Sequence, residues 1–228
     1  MAVDRLHAFS LAELPLPVAS MCVGHDPDDL GPVPCGTFLA RAPEGWFLFD
    51  VGLSTDFRRP EVYEPLFAWG PPVLPGEGDP LLDALAACGV SIDDLAAVVL
   101  SHLHVDHTGG LRHLADGRVP VYVQEIERAT SARDEPGIFY RPEDWRPYRL
   151  DLRGLDGETE LASGITAIPS PGHTAGHQSF LLTLASGERL LLAYDAIPLT
   201  LNLERDVPTA THTESAATTL ATQRALVA

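Results

Sequence analysis

The chain has 228 residues and a formal net charge of −17 at neutral pH, with 45% hydrophobic and 21% charged residues. That balance is globular, and a single domain of this length can bury a substantial core. The acidity argues against nucleic acid and anionic membranes as partners, since both need a basic surface, and no apolar run is long enough to cross a bilayer.

The cysteines Cys22, Cys35 and Cys88 form no Cys-x-x-Cys pair, and the N-terminal stretch, with Asp4 and a broken apolar run, makes a poor secretory signal. Both features suit a reducing cytoplasm. Every basic residue apart from histidine is arginine, read here as the codon bias of a GC-rich genome.

The first strand-like runs, Gly36–Arg41 and Trp46–Asp50, flank a Pro-Glu-Gly turn and predict a hairpin. Residues 54–79 are rich in proline and glycine and predict loop, with a short helix near Glu61–Ala68. A helix over Pro80–Cys88 starts on Pro80 and stops at Gly89, and Ser91–Leu95 reads as a helical turn. Ala97–Ser101 is a buried strand, followed by a polar segment and a helix opening at Gly109–Leu114. A strand at Val119–Val123 leads into a helix over Gln124–Ser131, and Ala132–Pro147 reads as a loop beside a site. Strands are predicted at Tyr148–Leu152, Ile165–Ile168, Gln178–Leu184 and Arg189–Tyr194, and a last helix over Glu214–Leu226. Hairpin strands mixed with separate helices suggest two packed sheets covered by helices, with chemistry at the strand ends.

That chemistry is concentrated in Ser101-His102-Leu103-His104-Val105-Asp106-His107. Alternate loop residues can turn to one side, so His102 and His104 can grip one ion, while Asp106 and His107 can face a neighbour. Imidazole and carboxylate suit zinc, with iron, manganese or cobalt as alternatives. The absence of cysteine from the cluster favours an open catalytic site over a closed structural one. The bland alternative is a solvated His-rich turn, but nine histidines in the whole chain seldom cluster this way. In Ser170-Pro171-Gly172-His173-Thr174-Ala175-Gly176-His177, glycines free His173 to point inward. Asp195 ends the apolar run Leu190–Tyr194, where a carboxylate needs a cation or donors.

Together these segments resemble the metallo-β-lactamase superfamily, through H-x-H-x-D-H at 102–107, then His173, then Asp195. Within it, SHLHVDHTGG (101–110), VQEIERA (123–129), PGHTAGHQS (171–179) and AYDA (193–196) are most similar to the N-acyl homoserine lactone lactonases. The resemblance implies an αββα sandwich spanning residues 1–228 with the metal centre at one rim. It implies a first ion on His102, His104 and His173, a second on Asp106 and His107, and Asp195 between them. His177 and Asp50 are then outer partners of the ligands.

Two departures from the family pattern stand out. The tyrosine expected three residues after the bridging aspartate is Pro198; Tyr194, if on a strand, faces away from the side of Asp195, and Tyr140 is a candidate substitute. The family also ends in a strand and a Gly-His-Asp turn whose histidine completes the second metal position, whereas this sequence stops at Ala228. His212 reads better as part of a helix N-cap region than as a replacement.

The expectation is a metal-dependent hydrolase in which metal-activated water opens a lactone or similar carboxylic ester, with Asp106 carrying the proton. Phe67, Trp69, Phe139 and Tyr140 could form an acyl pocket, or could pack under the long loops. The partner is then a small-molecule lactone or ester, the oligomeric state being open, with a homodimer one option. The alternatives are another metallo-hydrolase of the superfamily, such as a thioesterase or phosphodiesterase, and a metal-binding homologue with little catalysis.

Overall fold

The computed structural model describes residues 2–133, 137–209 and 214–228; His212 lies outside them. The described strands are β1 (Arg5–Pro17), β2 (Leu30–Ala42), β3 (Gly45–Phe49), β4 (Leu95–Val99), β5 (Pro120–Gln124), β6 (Asp151–Leu155), β7 (Thr159–Ala162), β8 (Ile165–Pro169), β9 (Gln178–Thr183) and β10 (Arg189–Leu192). They form a six-stranded sheet in the order β1-β2-β3-β4-β5-β6 and a four-stranded sheet in the order β10-β9-β8-β7. The first sheet begins with antiparallel pairs, β1 with β2 and β2 with β3. It turns parallel from β3 to β6. The second is antiparallel throughout.

Strand alternation explains how the sheets pack. Phe47 and Phe49 of β3, with Ala97 and Val99 of β4, join Phe180 and Leu182 of β9 in a core between the two sheets. The Phe49 and Phe180 rings are 4.9 Å apart. The intervening Leu48 and Val98 face the other way, against Leu81 and Leu85 of a helix. Both faces of β3 and β4 are therefore covered, which is why they read as continuous apolar runs. Truncating a side chain as buried as Phe49 to alanine costs about 3–5 kcal/mol.

The helices are α1 (Val18–Met21), α2 (Pro60–Tyr63), α3 (Pro80–Ala87), α4 (Val105–Thr108), α5 (Glu125–Ser131), α6 (Thr200–Arg205) and α7 (Ala216–Leu226). In α3, Asp79 accepts from Leu81 N and Leu82 N, Pro80 takes the first turn, and Gly89 at φ 69° ends the helix. The two sheets with flanking helices are the architecture expected from the sequence.

Several boundaries differ from those expectations. The N-terminal stretch forms β1, an edge strand that tolerates Pro15 and Pro17 because its outer side needs no ladder partner. Strand β6 starts three residues later than expected, and β7 and α6 are additional. Strand β10 ends at Leu192, and Tyr194–Ala196 is a tight 3₁₀ turn with Tyr194 at φ 48°.

This topology gathers chemistry at one rim. The parallel strands β3, β4 and β5 each end there, placing Asp50, the His102–His107 segment and Glu127 side by side. Ligands collect outside the carboxyl ends of parallel strands for this reason. The β8–β9 loop brings His173 and His177 from the second sheet, and the turn after β10 brings Asp195.

Candidate metal centre

The segment after β4 leaves the sheet as an extended loop, with His102 and His104 in it, and then enters the single turn α4 with Asp106 and His107. Its exit depends on glycine: a Cβ on Gly109 would lie 1.9 Å from Ser54 N. The 108–110 backbone is thereby pressed onto the turn after β3, with Gly109 N donating to Gly52 O and Val51 N to His107 O.

His102, His104 and His173 present ligand atoms that all lie within 4.8 Å of one another, as do His102, His107 and Asp195. Nε2 of His173 is 2.9 Å from Nδ1 of His104 and 3.2 Å from Oδ2 of Asp195. The other oxygen of Asp195, Oδ1, is 3.6 Å from Nε2 of His107, which is also 3.5 Å from Oδ2 of Asp106. Asp195 thus turns one oxygen to the three-histidine group and the other to His107. All four histidines are buried, whereas the Asp195 and Asp106 side chains are 20% and 22% exposed.

Hydrogen bonds around the ligands fix which nitrogens are free. Asp50, fully buried, accepts from Ser101 N, from Ser101 Oγ at 2.7 Å and from His107 Nδ1 at 2.7 Å. The Ser101 hydroxyl spends its proton on Asp50, so at 3.0 Å it accepts from His102 Nδ1. One carboxylate therefore leaves the Nε2 lone pairs of both His102 and His107 facing the site. Those two Nε2 atoms are buried without any hydrogen-bond partner, an arrangement costly in a protein interior and suited to a metal ion. The donor set of imidazoles and carboxylates, without thiolate, fits zinc-type ions.

The electrostatics agree for His102 and His104. Burial, then the neighbouring histidines, holds His102 well below the ordinary histidine pKa, and burial with His173 does the same for His104. Both are held neutral, the form in which imidazole can bind a metal. Burial also opposes charge on His107, but Asp106, Asp50 and Asp195 outweigh it and raise its pKa. Asp195 resists protonation: against its burial, His173 and His107 pull its pKa down. The cluster is one in which several carboxylates compete for very little positive charge.

His177 stands beside the site, outside both ligand groups. Its Nδ1 bonds the Ser170 hydroxyl at 2.8 Å, and its ring centroid is 5.2 Å from that of His102. Burial and His173 lower its pKa to about 3.

A hollow of about 580 Å³, open mouth included, reaches the site. Phe67, Trp69 and Phe139 line it with Leu14, Leu16 and Met21, and its floor is His104, Asp106, His173 and Asp195. Tyr140 is not part of that lining. Its hydroxyl donates to Glu127 Oε1 at 2.9 Å, and its ring packs edge-on against His104 at 4.8 Å. The Tyr194 hydroxyl donates to Phe49 O at 2.9 Å, away from this hollow; Tyr194 and Pro198 line a neighbouring one that also reaches Asp106, His107 and Asp195.

Ser101, Ser170, Thr174 and Glu127 were not expected as functional residues. Their signal was position alone, each lying in a segment that carries or adjoins the histidines. The charge on Glu127, in a helix that otherwise packs on the sheet, was the strongest hint.

The description of the metallo-beta-lactamase superfamily as a family model matches residues 30–226. An N-acyl homoserine lactonase of Bacillus cereus is 30% identical over 212 residues, covering 91% of this chain and 82% of that protein. A solved N-acyl homoserine lactone hydrolase with N-hexanoyl-L-homoserine bound at its catalytic metal center has a TM-score of 0.87 at 27% identity, over 100% of this chain and 88% of that one. A quorum-quenching N-acyl homoserine lactone lactonase gives 0.85 at 27% identity, over 100% and 87%. The chain belongs to the metallo-beta-lactamase superfamily, and its fold is that of a metallo-hydrolase similar to these lactonases.

Proposed function

We propose that this protein is a zinc-dependent hydrolase that opens N-acyl homoserine lactones or closely similar carboxylic esters. The observation that carries the reading is the apolar hollow whose floor is the metal-ligand cluster. An acyl chain lying against Leu14, Leu16, Phe67, Trp69 and Phe139 brings its polar head to His104, Asp106, His173 and Asp195. An acyl chain in such a slot gains about 0.8 kcal/mol per buried methylene, which favours lipophilic lactones over compact polar esters.

His102, His104 and His173 would hold a first ion, Asp106 and His107 a second, and Asp195 would serve both. When bound, such metal supplies an activated water and Lewis-acid polarisation of the carbonyl. The protein's own part is positional and protolytic. Asp50, through Ser101 and directly, keeps the two Nε2 lone pairs turned inward. Asp106, at the floor of the hollow, takes the proton of the attacking water and returns it to the ring oxygen as the acyl C–O bond breaks.

Hydrolysis of a panel of N-acyl homoserine lactones, beside a linear ester, a thioester, a phosphodiester and a β-lactam, tests the proposal. Lactone turnover that rises with acyl length and disappears on chelation is expected. Turnover confined to the thioester or phosphodiester would replace it with another superfamily activity. Metal binding without turnover of any substrate would leave a binding protein.

A further inference from the structure

Glu127 is fully buried on α5. Its Oε1 accepts from Leu103 N at 3.0 Å and Tyr140 Oη at 2.9 Å. Its Oε2 accepts from Thr174 Oγ1 at 2.8 Å and Gly176 N at 3.2 Å. Four donors on two oxygens fill the acceptor sites of the carboxylate. All four donors are neutral groups.

The partners have a pattern. Leu103 sits between His102 and His104, while Thr174 and Gly176 follow His173 in a loop of the other sheet. One side chain therefore ties together the two loops whose histidines form the three-imidazole group. The contact with the second loop demands glycine: a Cβ on Gly176 would lie 2.3 Å from Glu127 N. Through Tyr140, whose ring packs on His104, the same carboxylate also anchors the chain next to Phe139, a wall of the hollow.

We infer that Glu127 is a positioning residue for the first metal position, fixing the separation of the His102–His104 loop from the His173 loop. Asp50 serves His107 in a comparable way, but by a side-chain bond to the ligand; Glu127 works through backbone and hydroxyl donors beside the ligands. The inference rests on the metal reading of His102, His104 and His173, and its test reads metal binding without reference to any substrate.

Glu127→Gln keeps the size of the side chain but replaces one oxygen by a donor, which faces donors from either loop. With folding monitored by near-ultraviolet circular dichroism, chelator competition should show the tightest zinc equivalent weakened roughly 10–100-fold, the range for lost outer support of a ligand. The absorption spectrum of the cobalt-loaded protein should change, because the angles among the imidazoles change. If the variant does not fold, Thr174→Val takes its place: it removes one donor from Oε2 and should weaken zinc about tenfold, the equivalent of one charge-assisted hydrogen bond. Lower thermal stability with unaltered zinc affinity and an unaltered cobalt spectrum would overturn the inference, leaving Glu127 a packing residue. A lactone panel without turnover would leave this outcome untouched, since it bears on the substrate alone.

Discussion

Asp50 receives a 2.7 Å hydrogen bond from Nδ1 of His107 across a sequence separation of 57 residues, and it does so from a left-handed backbone at φ 56°. Asparagine tolerates that conformation as well as aspartate does, so Asp50→Asn changes chemistry with little change in backbone strain. The amide offers one acceptor where the carboxylate serves Ser101 N, Ser101 Oγ and His107 Nδ1. The variant should fold and should bind zinc roughly 10–100-fold more weakly. Because His102 hangs from Asp50 through Ser101, both metal positions should suffer. Native affinity for both equivalents would show that the histidine tautomers are fixed without Asp50.

Asp106→Asn addresses the proton transfer. The carboxylate lines the hollow beside Asp195, and its amide cannot take up a proton from water. A fall in kcat of about 10²-fold or more is expected, the usual contribution of a positioned acid–base group, while zinc at the three-histidine position is retained. Full turnover at full metal occupancy would remove Asp106 from the proton path.

The two candidate metal positions are unequally furnished. Among the described residues the first draws on His102, His104 and His173, with one oxygen of Asp195 lying 3.2 Å from His173; the second has His107 and the other oxygen of Asp195, must share His102, and has Asp106 3.5 Å from His107 but outside the mutually close ligand group. Zinc titration of the 228-residue chain should give one tight equivalent and one weaker by at least roughly 10–100-fold, since a ligand counts for more than its outer support. Two equally tight equivalents would mean that a further residue closes the second position. His212 would then be the first to replace, and His212→Ala should release one ion.

The clustering of metal-capable side chains was legible in the sequence because they are packed into six consecutive positions and two short loops, and because only a few residue types bind such ions. The helix α3 was legible because Asp79, Pro80 and Gly89 mark both of its ends. Strand β1 was hidden by Pro15 and Pro17 and by the register break between Ser10 and Glu13, which an edge strand can absorb. The strand expected over Arg189–Tyr194 stops early because Tyr194 adopts a positive φ; its hydroxyl is aimed at Phe49 by that turn, and strand alternation does not apply there. Tyr140 lies in the expected loop, with its phenol on the buried Glu127 and outside the lining of the hollow. Loop position does not say whether a phenol faces a cavity or a buried carboxylate, and Glu127 lies 13 residues from it in sequence.

The loop behind the metal segment carries a pH-dependent element. Asp144, only 6% exposed, accepts from Arg141 at 2.8 Å and from the Thr108 hydroxyl at 3.4 Å, and Thr108 directly follows His107. Burial raises its pKa to about 6, against the opposing pull of Arg141. An acid whose pKa is higher in the folded state binds its proton more tightly there than when unfolded. Its stabilising contribution is complete below the unfolded value near 3.8 and is lost as pH rises through about 6. Two pKa units correspond to about 3 kcal/mol as an upper bound. Asp144→Asn cannot titrate, so thermal unfolding of the two proteins side by side isolates this term from the other acids. The wild type should lose stability relative to the variant as pH rises from 4 to 7, by about 1–3 kcal/mol, with most of the change between 4 and 6. A difference that is flat across that interval, or that grows in favour of the wild type, would mean that the ion pair with Arg141 outweighs burial and that Asp144 is charged throughout.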